Sequence, residues 1–131
     1  PEVRAPSAQA ARADRLTKAE EYKAQARAHF QANRYREAAA AYQKASEMNP
    51  ADAGAVAGLG ASRLAAGDAN GAVEAYSRAV RLQPDSSGFH AALGRAYLQR
   101  GDRARARAAY ERALKLNPAN AAAQTALAQL R

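Results

Sequence analysis

The residues best suited to acid–base or metal chemistry in this chain are its two histidines, His29 and His90, because cysteine is absent. A histidine can transfer protons, or bind zinc when a second histidine or a carboxylate stands at helical spacing, as in a His-Glu-x-x-His pair. Neither histidine has such a partner in the sequence. We therefore expect both to be partly buried packing residues, and the absence of cysteine excludes disulfides and thiolate catalysis.

Two glycine-containing segments share features with ligand-binding loops. The segment GLGAS, residues 58–62, lacks the third glycine and the preceding strand of a nucleotide-binding loop. The segment GDANG, residues 67–71, offers Asp68 and Asn70 but neither the remaining ligands nor the closing glutamate of a calcium loop, so we expect a turn. Since no base stands beside a nucleophile, the sequence predicts no enzyme, cofactor, metal or small-molecule substrate.

Residues 100–110, RGDRARARAAY, allow two further interpretations. Arg100, Gly101 and Asp102 spell the tripeptide that cell-surface adhesion receptors recognise, and the arginines that follow look like the start of a nucleic-acid-binding tract. On a helix, however, Arg103 and Arg105 would lie about 200° apart. The arginines would then spread around the helix and form no single stripe.

Composition and charge restrict both the fold and the partners. Alanine provides 40 of the 131 residues and isoleucine is absent, so we expect a thin, helical core with little from which strands could be built. The net charge is +8, distributed as +3 over residues 1–50, −1 over 51–86 and +6 over 87–131. This asymmetry indicates an acidic partner or surface. No apolar run reaches the roughly 18 residues that a membrane span needs.

The chain begins with Pro1 and not with methionine. We expect a mature form or a fragment of a longer protein, from which a targeting signal or a second domain has been removed. The compartment is therefore unknown from the sequence. A cytoplasmic location is slightly favoured, and a periplasmic one stays open if a signal was removed.

A repeat of 34 residues organises most of the chain. The segments YQKASEMNP (42–50), YSRAVRLQP (76–84) and YERALKLNP (110–118) carry a tyrosine, an alanine and a proline in the same register. Upstream, the same offset relates two further sets, which are Asn33, Gly67 and Gly101, and Ala26, Gly60 and Gly94.

Each repeat is predicted to be a helical hairpin. In the second unit the first helix covers about 53–66 and the second about 69–82, with a turn around Gly67. Glycine and asparagine adopt the left-handed conformation at low cost, which suits them to this turn in every unit. The closing proline then ends the second helix, because it lacks an N–H and disfavours helix in the preceding residue.

These residues resemble the tetratricopeptide repeat family. The period, the leucine and small residue midway along the first helix, the alanines and aromatic residue of the second, and the closing proline all recur. The resemblance implies an all-α fold, a right-handed α-solenoid of antiparallel helix hairpins. Gln25 and His29 depart from the pattern in the first unit, which predicts a frayed or partner-covered first repeat.

The domain boundaries follow from the repeat. Residues 19–131 form the repeat domain, with units at about 19–52, 53–86 and 87–120 and a capping helix at about 120–131 that turns Leu127 and Leu130 inward. Residues 1–18 are expected to be a linker or a mobile helix. Thr17 and Glu20 match a capping box that would start the first repeat helix afresh.

In this family the first helices of the units line a concave face, and the resemblance implies which residues point into it. The implied partner-binding groove consists of Lys23, Arg27, Phe30, Gly54, Ala57, Ala61, Leu64, Gly88, Ala91, Arg95, Leu98 and Gln99, with Glu20, Gln31 and Ala65 on the same face. Its small residues would leave room for a ligand's backbone, and Arg27 and Arg95 could hold a carboxylate bidentately. Such a groove suits a short helix or an extended peptide with acidic residues. The alternative is that the small residues only reflect the alanine-rich composition.

Members of this family that bind the acidic C-terminal tails of heat-shock chaperones clamp two carboxylates with lysine, asparagine and arginine side chains at fixed positions. Only Lys23 matches this set here, and the other positions hold Arg27, Gly58, Gly88 and Ala92. The resemblance therefore argues against a co-chaperone function.

Three functions follow from these observations. The leading hypothesis is a non-enzymatic protein–protein interaction module, part of a larger bacterial scaffold or assembly protein of the motility, secretion or envelope class. The first alternative is electrostatic binding of nucleic acid or an anionic membrane through the basic third repeat, although no aromatic residues interleave with its arginines. The second is self-association into a homo-oligomer. The adhesion interpretation is rejected, because Gly101 and Asp102 occupy the same turn positions that Gly67 and Asp68 occupy one repeat earlier.

Overall fold

The computed structural model describes residues 4–131, and this part of the chain forms seven α-helices and no strand. The helices are α1 (Ala8–Gln31), α2 (Tyr35–Met48), α3 (Ala53–Ala65), α4 (Ala69–Leu82), α5 (Ser87–Arg100), α6 (Arg103–Leu116) and α7 (Ala121–Gln129). The predicted all-α fold is confirmed, with three hairpins followed by a capping helix. Each helix packs mainly against its neighbours in sequence, and α3 also contacts α5, as an α-solenoid requires.

The turns of the three hairpins adopt the predicted geometry. Asn33, Gly67 and Gly101 have φ angles of 61°, 87° and 91°, which lie in the left-handed region. In the second and third units the next residue, Asp68 or Asp102, caps the following helix by accepting a hydrogen bond from the backbone N–H three residues on. Gly67 and Asp68, like Gly101 and Asp102, are therefore turn and helix-cap residues.

The core is thin, because most of its buried side chains are alanines. The larger members are the repeat tyrosines Tyr42, Tyr76 and Tyr110, together with leucines and valines of α3, α4 and α5. A Cβ atom added at Gly60 would lie 3.0 Å from the ring of Tyr76, and one added at Gly94 would lie 2.8 Å from that of Tyr110. These glycines therefore make room for an aromatic ring between the two helices of one hairpin.

The C-terminal helix caps the solenoid as predicted. Leu130 is buried and Leu127 is half-buried against the third hairpin, whereas Gln124 and Gln129 are exposed. Asn120, the N-cap of α7, donates a 2.8 Å hydrogen bond to the hydroxyl of a serine in α5, which in turn donates to the last turn of α6. One chain of hydrogen bonds thus joins α5, α6 and α7.

The predicted capping box is wrong. Helix α1 runs without a break from Ala8 through Thr17, and its N-cap is Ser7. The hydroxyl of Thr17 donates a 3.0 Å hydrogen bond back to the carbonyl of Ala13, so it is a helix-interior residue. The alanine-rich segment continues the repeat helix backwards. The domain boundary at residue 18 and the mobility of residues 1–18 stay predictions, and residues 1–3 lie outside the described part.

Candidate binding groove

A surface cavity of about 330 Å³ lies where the first helices of the three hairpins share a face. It is lined by Phe30 from α1, Ala61, Leu64 and Ala65 from α3, Tyr76 from α4, and Arg95 and Gln99 from α5. Every one of these except Tyr76 belongs to the face implied by the sequence. The cavity therefore collects predicted groove residues from all three units.

The apolar wall of the cavity is held in place by neighbouring contacts. The ring of Phe30 meets that of Tyr35 edge to face, with centroids 5.2 Å apart. Leu64 is buried in the core cluster that also contains Tyr76. Gln99 donates a 3.3 Å hydrogen bond from Nε2 to the carbonyl oxygen of Leu64, which ties α5 to the last turn of α3. The cavity is thus formed by side chains with restricted positions.

Tyr76 is the lining residue that sequence reasoning missed, because it lies on the second helix of its unit and the implied groove was assigned to the first helices. Its side chain is 5% exposed, and its ring lies against the backbone of Gly60. Among residues 4–131 its hydroxyl has no hydrogen-bond partner, and no fully buried side-chain polar atom is left unpaired, so the hydroxyl must reach solvent. Tyr76 itself lines the cavity. The sequence signal was the choice of tyrosine over phenylalanine.

Two exposed arginines flank the small residues of the concave face. Arg95 lies in the cavity, whereas Arg27, its equivalent two units earlier, is exposed on α1 outside the cavity lining. Burial raises the pKa of Tyr76, and the positive charge of Arg95 opposes that rise. Burial likewise raises the pKa of Tyr42, opposed by the charges of Arg27 and Lys23. Neither arginine forms an ion pair within residues 4–131.

Lys23, the third cation of the implied groove, is engaged inside the protein. Its Nζ lies 2.7 Å from a carboxylate oxygen of Asp52 and 3.4 Å from one of Glu20, and the Lys23 and Asp52 side chains are each 17% exposed. The hydrogen bond to Asp52 raises the pKa of Lys23. Burial would raise the pKa of Asp52, but the bonds from Lys23 and the Ala55 backbone N–H outweigh it and lower that pKa. Lys23 therefore ties α1 to the N-cap of α3.

The remaining residues of the implied groove are divided between surface and core. Gly54 and Gly88 are exposed in the first turns of α3 and α5. Ala57 is half-buried against the central core cluster. Ala91 is buried in the cluster around Tyr110, and Leu98 packs against the same cluster. The structure thus brings together Phe30, Ala61, Leu64, Arg95 and Gln99, and places the others elsewhere on or beneath this face.

Both histidines are half-buried, as predicted. The Nε2 of His90 lies 2.9 Å from the carbonyl oxygen of Pro84, so this nitrogen must donate. Within residues 4–131 no three His, Cys, Asp or Glu side chains are close enough together to hold a metal ion. No helix of that part is both long and apolar enough to cross a membrane.

The fold and the face just described define a class, the α-solenoids built from helical hairpins. Comparison with family models identifies which family of α-solenoids the chain belongs to. A tetratricopeptide repeat model matches residues 63–130, more than half of the chain, and a second tetratricopeptide repeat model matches residues 23–87. The chain belongs to the tetratricopeptide repeat family. No curated protein sequence matches it significantly.

Several solved structures superpose closely on the chain. The TPR domain of Arabidopsis OM64 gives a TM-score of 0.84 at 22% identity, over 89% of this chain and 97% of that one. The first TPR of Spaghetti (RPAP3), bound to the HSP90 peptide SRMEEVD, gives 0.83 at 23% identity, over 88% and 91%. The Yersinia enterocolitica type III secretion chaperone SycD, in complex with a peptide of the translocator YopD, gives 0.79 at 22% identity, over 85% and 90%. At these identities the similarity is one of fold.

Proposed function

We propose that this chain is a non-enzymatic protein–protein interaction module that binds an acidic peptide or short helix of a partner on its concave face. The observation that carries this proposal is the cavity to which all three hairpins contribute, with Phe30 from the first, Leu64 from the second and Arg95 from the third. A face assembled from successive units suits a partner that extends along several of them.

The acidic character of the partner is inferred from the charges on this face. Arg27 and Arg95 are exposed and form no ion pair within residues 4–131, so both guanidinium groups can bind carboxylates. No acidic side chain lines the cavity. The net charge of +8 adds a long-range attraction for an acidic segment.

Peptide complexes of proteins with this fold support the proposal in its general form. RPAP3 was solved with an HSP90 peptide and SycD with a peptide of YopD. This chain would bind differently from the heat-shock peptide clamp, because Lys23 is paired with Asp52 and the ring of Tyr42 covers Gly58. We therefore place the acidic recognition at the arginines. The alanine- and arginine-rich composition is the observation that favours a bacterial source, and we place the chain in a larger scaffold or assembly protein.

The proposal is tested by affinity purification from the source organism followed by mass spectrometry. The bait is compared with the groove variant Arg27→Glu/Arg95→Glu and with the control Arg103→Glu/Arg112→Glu, which makes the same charge change at exposed positions of α6. We expect the groove variant to recover at least tenfold less of the wild-type partner. The two substitutions change the charge of the groove by four units, so the partner's carboxylates would be repelled. The control should retain it. Full recovery of the partner by a folded groove variant would show that the partner does not bind in the groove.

A second candidate is electrostatic binding of nucleic acid or an anionic membrane by α6. Arg103, Arg112 and Lys115 are exposed on this helix, which favours it. Against it, Arg105 lies 3.0 Å from Asp102, and Arg107 donates a 2.7 Å hydrogen bond to the Leu130 carbonyl. Binding by α6 would be lost in the Arg103→Glu/Arg112→Glu variant and would weaken steeply with added salt. Retention by that variant would reject this candidate.

A further inference from the structure

We infer that the cavity between α1, α3 and α5 is a subsite for one apolar side chain of the partner and an adjacent carboxylate, which Arg95 binds while the Tyr76 hydroxyl donates a second hydrogen bond. This inference rests on the proposed function, which requires only that an acidic segment lie on the concave face. It adds the position, the ligand chemistry and a residue, Tyr76, that the repeat pattern assigns to packing.

The apolar half of the subsite is formed by the ring of Phe30 and the side chains of Ala61, Leu64 and Ala65. A volume of about 330 Å³ is at the lower end of ligand-binding pockets, so the space suits a short part of a partner and not a large ligand. Because Phe30 is held by the edge-to-face contact with Tyr35, its position is set before binding. A fixed apolar wall favours an aliphatic side chain over a polar one.

The polar half consists of donors without acceptors. The hydroxyl of Tyr76 has no hydrogen-bond partner among residues 4–131, and because no fully buried side-chain polar atom there is unpaired, this hydroxyl keeps contact with solvent although the residue is only 5% exposed. Arg95 lines the same cavity as Tyr76, and its positive charge opposes the rise that burial causes in the pKa of Tyr76. A carboxylate accepts several hydrogen bonds and matches the planar guanidinium, so it would satisfy both donors at once.

The carboxylate could belong to an acidic side chain or to the C-terminus of the partner, and binding of three blocked or partly blocked peptides distinguishes the sources. The first is an acetylated, amidated tetrapeptide of alanine, leucine, glutamate and alanine. The second replaces the glutamate with glutamine. The third is an acetylated tripeptide of two alanines and a leucine with a free C-terminus. Each is titrated into the ¹⁵N-labelled full chain and followed by NMR.

We expect the glutamate peptide to shift the side-chain amide of Gln99 and the backbone amides of Ala61 and Ala65, with an affinity at least fivefold above that of the glutamine peptide. A larger effect of the free C-terminus would assign the subsite to a chain end, and would equally support carboxylate recognition. Equal affinities for all three peptides, or no shift at these residues up to about 10 mM peptide, would overturn the inference.

Two variants test the assigned residues. Arg95→Gln should abolish the preference for glutamate over glutamine, and Tyr76→Phe, which keeps the ring, should weaken the glutamate peptide about two- to threefold and leave the glutamine peptide unchanged. Arg27→Gln, outside the cavity, is the control and should change neither. A preference that survives in folded Arg95→Gln contradicts the subsite.

The outcomes also separate this inference from the proposed function. If Arg27→Glu/Arg95→Glu abolishes binding of the natural partner but Arg95→Gln and Tyr76→Phe leave it unchanged, the proposed function is supported and the subsite is contradicted. If the partner is indifferent to all of these variants, both fail.

Discussion

The joint between the first and second hairpins and the joint between the second and third are built from the same repeat positions, yet their side chains differ. At the first joint Lys23 and Asp52 form a 2.7 Å ion pair. One repeat later the same positions hold Ala57 and Ser86, which are small and uncharged. The first joint is therefore held by a partly buried ion pair that has no counterpart at the second joint.

The tyrosines of the two joints differ in the same sense. A Cβ added at Gly58, in the second unit, would lie 2.5 Å from the ring of Tyr42, whereas the ring of Tyr76 lies over Gly60 of its own hairpin. The first unit has Ala26 where the second has Gly60, so its methyl group occupies the space that a ring would need. Tyr42 consequently packs across the first joint against Gly58, whereas Tyr76 packs against Gly60 within its own hairpin and lines the cavity. Single-residue changes in size thus give the two joints different packing.

The largest expected effect comes from removing the aromatic ring at the second joint. Tyr76→Ala should lower the free energy of unfolding by about 3 kcal/mol or more, because it leaves a cavity in the core. Denaturant unfolding measures the loss. Tyr76→Phe is the matched control and should change the stability by less than about 1 kcal/mol, since its hydroxyl has no partner among residues 4–131. A tolerated Tyr76→Ala would mean that this ring does not support the joint.

The second effect concerns the glycine at the first joint. Gly58→Ala should destabilise the chain by about 1 kcal/mol, because its methyl group would meet the buried ring of Tyr42 and the strain outweighs the gain in helix propensity. Gly88→Ala, where the nearest atom would be 3.9 Å away, should instead stabilise by about 0.5 kcal/mol. Thermal unfolding of both variants checks the signs. A stabilising Gly58→Ala would contradict the placement of Tyr42 across this joint.

The third effect is the pH dependence of the ion pair that closes the first joint. Lys23→Met should cost about 1 kcal/mol at pH 7. The pKa of Asp52 is lowered by folding, so its contribution is present above the unfolded pKa of about 3.9 and is lost as pH falls through the folded value. The pKa of Lys23 is raised, so its contribution is lost only as pH rises through a value above 10.5.

Urea unfolding at pH 7 and pH 2.5 measures this difference, and we expect the wild type and Lys23→Met to converge at the lower pH. The control is Lys18→Met, which breaks an exposed 3.5 Å ion pair with Asp14 and should change the stability by less than about 0.5 kcal/mol. Asp52→Asn separates the ion pair from the cap, because asparagine also caps a helix. A gap between wild type and Lys23→Met that persists at low pH would mean that Lys23 stabilises by packing alone.

The smallest effect comes from introducing the ion pair of the first joint at the second joint. Ala57→Lys with Ser86→Asp places the first joint's ion pair at the equivalent positions of the second. We expect a favourable coupling of about 0.5 kcal/mol between the two changes, since the new pair is partly exposed. A double-mutant cycle measures it. Zero coupling would show that the two joints differ in backbone geometry as well as in side chains.

Most of the fold could be predicted from the sequence because its rules act locally. Asn33, Gly67 and Gly101 stand one residue before a helix cap or its equivalent, and only a few residue types adopt positive φ cheaply, so the 34-residue period placed every hairpin turn. The capping box predicted at Thr17 was wrong because such a local pattern is not specific to a helix start. A threonine followed by a glutamate also fits a helix interior, and the alanines before it extend the helix.

The candidate site was harder to predict, because its contacts join residues far apart in sequence. Lys23 meets Asp52 across 29 residues, and nothing in the repeat pattern distinguishes an exposed groove lysine from one tied to the next helix. The role of Tyr76 depends on the contact of its ring with Gly60, and the packing of the whole hairpin sets that contact. Periodicity identifies a face, whereas the open parts of that face depend on non-periodic side chains.

The central claim is that a partner is recognised at the cavity shared by the three hairpins and not on the basic helix α6. A photoreactive benzoylphenylalanine placed at Ala65, an exposed cavity residue, or at Ala104, an exposed residue of α6, tests it most directly in the cell. We predict that the partner cross-links from position 65 and not from position 104. Cross-linking from position 104 alone, or equally from both, would contradict the account.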